Sequence, residues 1–394
     1  LALAMAGSWP QWHGPARNGH ATSFDAPAVW PKALEPTWTA EIGEGYSSPV
    51  ADSQRVCALA RQGDDEVAAC FARDSGKELW SDRYRSPFQK NAYAMRMAPA
   101  PFSTPLLHEG ALYTLGANAT LSAYDAVTGK RLWRREPPAR PSVKNNFCGT
   151  AMSPMIDEGR LIVFWGDDMQ GELIALDPAT GKTIWSAPTL RPAYASVAVG
   201  VAGGVRQYVA LTTDSVAGVE PATGKVLWTY PFPDQWHENI ITPVIEGGRV
   251  LVSGVRSPTM MLEPVKGRPW SVKVAWKAET VPLYMSHPVL ADNLLYGLTS
   301  RDKGKLFTLD PRTGVVVWSS EGRFASQAAL AAAGKWLLVT TDQGELIVLE
   351  RNGGKPIERA RYELSKTAVY AQPALAGRQI VIKDERTLRS FLVP

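Results

Sequence analysis

Two of the five histidines stand in loops crowded with other polar groups. "PFPDQWHENIITP" brings His237, Glu238 and Asn239 together, and "VPLYMSHP" sets Tyr284 three residues before His287. An imidazole beside a carboxylate or a phenol can serve as an acid–base pair when its pKa lies near neutrality. Further cations and phenols stand in other loops: Arg301, Asp302 and Lys303 in "TSRDKGK", Lys383, Asp384 and Arg386 in "KDERT", and Tyr93 and Arg96 in the long irregular stretch 84–105. Together they suit a small anionic or sugar-like ligand, or a protein partner, at a loop-rich central face. The opposing reading is that loop polar residues are simply solvated. With five histidines, a three-histidine metal site is not expected. "GDDE" (63–66) and "GDDM" (166–169) offer oxygen ligands that suit calcium, yet neither has D-x-D-x-D-G spacing. Both read as solvated polar hairpin tips.

One decapeptide recurs: "YDAVTGKRLW" at 124–133, "LDPATGKTIW" at 176–185, "VEPATGKVLW" at 219–228 and "LDPRTGVVVW" at 309–318, with a shortened "RDSGKELW" at 73–80. Gly181-Lys182-Thr183 copies the end of a phosphate loop, but Leu176 occupies the position where that motif needs a glycine. Repetition argues for architecture. Around Trp185, "MSPMIDEG", "RLIVFWG", "GELIALD" and "KTIW" read as four short antiparallel strands, and a unit of roughly 40–50 residues built this way is a propeller blade. The acid (Asp125, Asp177, Glu220, Asp310) accepts backbone N–H groups in the turn. The glycine (Gly129, Gly181, Gly224, Gly314) supplies a positive φ. The tryptophan packs into the seam between blades.

The closing aromatics are Trp38, Trp80, Trp133, Trp185, Trp228, Trp276, Trp318 and Tyr362. After Tyr362 come three strands without a fourth, and "EPTWTAE" (35–41) is one strand without its first three. The expected fold is therefore all-β: an eight-bladed propeller of four-stranded antiparallel blades, closed by the N-terminal strand joining the C-terminal blade. Residues 1–34 form an irregular Pro/Trp-rich segment, with His13 and His20 expected at its surface, and 35–394 one propeller domain. The segment should pack outside the ring or over one face. Blades ending at Trp276 and Tyr362 lack the regular turn and should have the weakest seams.

Net charge is +4, from 42 basic and 38 acidic residues without a basic run, which speaks against nucleic acid. Apolar stretches are strand-sized, well short of the roughly 20 residues of a membrane helix. Ala4-Met5-Ala6 before Gly7 looks like the small-residue site following a signal region, so a periplasmic or secreted protein is expected; no cysteine follows it to carry a lipid anchor. Cys57, Cys70 and Cys148 contain no C-x-x-C pattern. Cys57 and Cys70 flank a turn and are either buried thiols or a bridge across a hairpin.

The A-x-D-x-x-T-G-x-x-x-W pattern resembles the tryptophan-docking repeat of the pyrroloquinoline quinone (PQQ)-like propellers. "WPQWHGP" is similar to the start of a bacterial branch of unassigned activity. Length and blade count resemble those of the periplasmic propeller lipoproteins of outer-membrane protein assembly. The resemblance implies two roles. Its dehydrogenases stack the quinone between a tryptophan and a disulfide of adjacent cysteines, hold calcium through a carboxylate and an amide, and use an aspartate as base. Adjacent cysteines do not occur here. Its scaffold members bind partners through loops. The expectation is a non-catalytic binding or scaffold module with no cofactor. A PQQ- and calcium-dependent dehydrogenase and a sugar-active lyase or hydrolase are the alternatives.

Overall fold

The computed structural model describes residues 7–88, 100–137 and 147–394, without the Lys303 side chain. Tyr93 and Arg96 lie outside them. Among the described residues, 32 strands form eight four-stranded antiparallel sheets. Taken in order, blade 1 runs 50–85, blade 2 106–135, blade 3 155–187, blade 4 198–231, blade 5 244–278, blade 6 289–319 and blade 7 328–363. Blade 8 is 374–392 completed by Pro36–Glu41, with Trp38 opposite Ser390. The fold is the expected eight-bladed propeller. Blades 1, 2, 7 and 8 belong to one compact unit and blades 3 to 6 to a second.

Burial explains the strand sequences. Middle strands such as Arg160–Trp165 and Glu172–Leu176 are apolar along their length, because both faces meet packed neighbours. Outer strands such as Glu78–Arg85 alternate exposed and buried positions.

The recurring turn does what its letters require. Asp125 Oδ1 accepts the N–H groups of Val127 and Thr128 at 3.0 and 2.7 Å, and Asp177 Oδ1 accepts that of Thr180 at 2.8 Å. These bonds, the one from the Thr128 backbone foremost, hold the Asp125 carboxyl below its ordinary pKa. The glycine has a second reason beyond its φ of +74° at Gly224: a Cβ there would lie 2.4 Å from the Trp185 ring. The tryptophan of one blade thus lies flat on the glycine of the next, and its N–H reaches a carbonyl of that turn. The pairs are Trp38 to Arg73, Trp80 to Ala126, Trp185 to Pro221 and Trp276 to Pro311, at 2.9–3.0 Å.

Trp228 departs from this rule. Blade 5 replaces the receiving turn with a longer hairpin, and Trp228 donates instead to Gln207 within its own blade at 2.7 Å. The seam of blade 7 is covered by the N-terminal segment: Trp336 donates to the Pro27 carbonyl, Tyr362 to that of Pro31, and Trp30 packs against both rings.

That segment also runs along first strands. Trp9 bridges Ala51, the Leu107 N–H bonds Pro10, and Ala332 and Gly377 exchange backbone bonds with residues 19–25. His13, expected at the surface, is buried and stacks on Trp12, with its N–H on Gln372. Trp9, wholly buried, fills space between short inner strands that offer few side chains of their own.

Cys57 and Cys70 are bonded. They face each other in register on adjacent strands of blade 1, buried against Trp80 and Tyr124.

Candidate functional site

The loops joining second to third strands and successive blades lie at the end of the blades opposite the Asp-x-x-Thr-Gly turns. In blades 3 to 5 they bring three expected residues, His237, Glu238 and Tyr284, to one place. Asp234 organises the loop 232–243: its carboxylate accepts the N–H groups of Trp236 and Glu238, each at 3.0 Å. His237 between them takes a left-handed φ of +55°, which few non-glycine residues adopt. Arg256, from the hairpin of blade 5, clamps Asp234 with two bonds of 2.9 Å and reaches Glu238 at 2.5 Å. Tyr284 donates to the other Glu238 oxygen at 2.7 Å. Burial raises the Asp234 pKa, but Arg256 and the two N–H groups outweigh it and leave the carboxyl below its ordinary value.

From blade 3, Asp168 meets His237 with Oδ2 2.5 Å from Nδ1. The Asp168 side chain is only 5% exposed, and burial lifts its pKa despite the imidazole beside it. Its other oxygen is buried without a hydrogen-bond partner. "GDDM" is therefore not a solvated tip: Asp167 folds the turn by accepting the Met169 and Gln170 N–H groups, and Asp168 orients a histidine. "GDDE" differs in the same way at Glu66, which is buried and bonded to Arg61, Tyr84 and the Ala117 N–H.

Asn239 and His287 build the fold. Asn239 donates to carbonyls of Thr212 and Phe232. His287 Nε2 accepts the Thr242 N–H at 2.8 Å, and the Ile240 backbone holds the ring as well. The pattern repeats between neighbouring blades: the Gln372 N–H bonds Ser48 Oγ, Thr104 bonds Ser153 Oγ, and Ser196 bonds Thr242 Oγ1. Ser48, Thr104, Ser153, Thr242, His287 and Gln372 all stand immediately before the proline that leads into a first strand. His287 is one link of this belt, and burial lowers its pKa to about 3.

Lys383 and Arg386 lie in blade 8. The Lys383 ammonium is buried among the carbonyls of Gly43 (3.1 Å), Gly45, Asp384 (3.3 Å) and Glu385 (3.4 Å). It ties the loop after the closing strand to the last blade, and burial lowers its pKa to about 7. Arg386 pairs with Glu41 and Glu44 at the surface. Arg301 is exposed in a short 3₁₀ turn, where Asp302 pairs with Lys305 at 3.4 Å. Sequence reasoning left out Asp168, Asp234 and Arg256. The hairpin letters "GVRSP" mark Arg256 as a tip residue, but nothing local announces its carboxylate partners.

The family profile described as outer membrane protein assembly factor BamB, of PQQ-like repeats, matches residues 17–198, 64–320 and 303–391. The chain belongs to this family. Solved structures of similar fold include BamB from Moraxella catarrhalis, 13% identical, TM-score 0.66, over 91% of this chain and 100% of that one. A europium-containing methanol dehydrogenase is 11% identical, TM-score 0.71, over 98% of both chains; at such identities the likeness is one of fold. Among curated relatives, quinohemoprotein alcohol dehydrogenase ADH IIB of Pseudomonas putida is 38% identical over 96 residues, 23% of this chain and 13% of its own length. The 1-butanol dehydrogenase (cytochrome c) of Thauera butanivorans is 30% identical over 122 residues, 30% of this chain and 16% of its own.

The dehydrogenases' disulfide of adjacent cysteines has no counterpart among the described residues. The disulfide Cys57–Cys70 is sealed inside blade 1 and offers no face for stacking. The tryptophans Trp38, Trp80, Trp185 and Trp276 give their N–H groups and ring faces to blade seams.

Proposed function

We propose that this propeller works by binding rather than by catalysis, holding a partner or ligand on its loop face. The observation that supports this reading is the mutual pairing of Asp234, Arg256, Glu238 and Tyr284. Groups so paired make a rigid surface, and drawing one into proton transfer would strand its partner. The family description, an assembly factor, agrees with this. The protein works outside the cytoplasm, in the periplasm or beyond, where the Cys57–Cys70 bond persists. The test is a photo-crosslinking residue at Met169, on the loop face, compared with one at Val201, on the opposite hairpin face, in the native host. Both side chains are about half exposed. Discrete adducts, to protein or to glycan, from position 169 alone are expected, and equal yields or none from either refute the reading.

A second reading, a quinone-dependent alcohol dehydrogenase, is favoured by the 38% identity over 96 residues to ADH IIB. Calorimetric titration with PQQ, with and without calcium, decides it. Stoichiometric calcium-dependent binding would replace the first reading.

A further inference from the structure

In the loop cluster of blades 3 to 5, two hydrogen-bonding groups face outward. The Asp168 carboxylate can only accept, so Nδ1 donates to it, and in the neutral imidazole Nε2 of His237 then presents its lone pair. The imidazole is 33% exposed, and among the described residues nothing bonds Nε2. Arg256 gives Nε and Nη2 to Asp234 and Glu238, while its Nη1, with two N–H donors, bonds nothing among the described residues. Trp236, one residue before His237, is 46% exposed, and its backbone N–H is pinned to Asp234. A preorganised acceptor, a preorganised donor pair and an aromatic face therefore belong to one hydrogen-bonded assembly.

Charge narrows what could bind. The guanidinium faces two carboxylates, Asp234 and Glu238, so the cluster repels an anion, while every oxygen of those two carboxylates is already bonded and a cation finds no open one. A neutral ligand with several hydroxyls takes the acceptor and the donors without that penalty. The buried, unpartnered Asp168 Oδ1 is the independent sign: an orphan carboxylate oxygen costs desolvation energy, a cost borne by the side chain whose other oxygen, Oδ2, holds His237.

We propose that this cluster binds a neutral glycan. The C–H face of one sugar packs on Trp236, Nε2 of His237 accepts from a hydroxyl, and Arg256 Nη1 donates to a ring or hydroxyl oxygen. The proposal rests on the binding reading above and names its ligand. Asp168 is a positioning residue, since it acts through His237.

The test is an array of neutral and acidic oligosaccharides, followed by calorimetry with the best neutral glycan retained. Trp236→Ala and His237→Ala should each weaken binding roughly tenfold or more, and Val201→Ser, on the opposite face, should leave it unchanged. Asp168→Ala, which removes the acceptor on Nδ1, should weaken it and also shift His237 away from the Nδ1–H tautomer in nitrogen NMR spectra, a signature that a merely structural role would not move. If His237→Ala fails to fold, the half-exposed Trp236 decides alone. A blank array, retention of acidic glycans only, or binding indifferent to both alanine variants overturns the proposal. A blank array with discrete Met169 adducts removes the glycan and leaves the binding reading standing; a blank array without adducts removes both.

Discussion

The pH dependence of stability carried by His287 follows from its place in the belt. Its Nε2 accepts the Thr242 N–H, so the folded ring must be neutral, and burial depresses its pKa from 6.5 to about 3. The unfolded chain therefore binds a proton below 6.5 that the folded chain refuses until about 3. This contribution is complete above the unfolded pKa and is lost as pH falls through that window. The full shift corresponds to about 5 kcal/mol, and integration from pH 7 to 4 gives about 3 kcal/mol. The residue as a whole is only partly buried, and solvent screening brings the expectation to about 2 kcal/mol. Glutamine is the comparison residue, because Gln372 fills the equivalent place in blade 8 and cannot titrate there. Urea unfolding at pH 7 and pH 4 should show the parent losing about 2 kcal/mol more than His287→Gln. Asp168 and Glu66 also titrate, but identically in both proteins, so the difference isolates His287. Equal losses would show that the belt does not hold the imidazole neutral.

Three further outcomes follow from packing. Trp185→Ala removes a ring lying on Gly224 and a bond to Pro221 and should cost about 3–5 kcal/mol; a Tm within about 2 °C of the parent refutes the seam function. Replacing Cys57 and Cys70 by alanine opens a bridge of sequence separation 13 and should cost about 3 kcal/mol in unfolding free energy, whereas an unchanged urea midpoint would show that the buried strand pair holds without it. Lys383→Met leaves the carbonyls of Gly43 and Gly45 without their donor and should lower stability by about 2–4 kcal/mol; a higher Tm would mean that burying the ammonium costs more than its carbonyl bonds return.

Much of the architecture was legible because each blade repeats its own instructions. Acid, glycine and tryptophan recur at constant spacing, and the lone strand around Trp38 matches the three strands after Tyr362. The glycine shows how far such reading goes. Its positive φ follows from the turn, but the ring pressed on it comes from a different blade. The candidate site was half legible. Loop chemistry marked His237, Glu238 and Tyr284, while Asp168 stands 69 positions from His237 and meets it only because blade geometry brings two loops together. Glu66 misled for a related reason: it is the second residue of the strand Asp65–Ala72 rather than part of the tip, so its side chain turns inward to Arg61.

His237 and His287 were indistinguishable as letters, each in a polar loop near a phenol or a carboxylate. Position within the repeat separates them. His287 occupies the place that serine, threonine or glutamine fills in other blades, where the fold asks only for a hydrogen-bond acceptor, and its Nε2 is consumed in supplying one. His237 has no such repeated place. It sits in a left-handed conformation, backed by a carboxylate buried at some cost, with its outer nitrogen toward solvent. Side chains demanded by the repeat explain themselves through the fold, whereas a polar arrangement that departs from the repeat and costs free energy to maintain is where we propose a ligand. By that criterion the loop cluster around His237 separates itself from the belt.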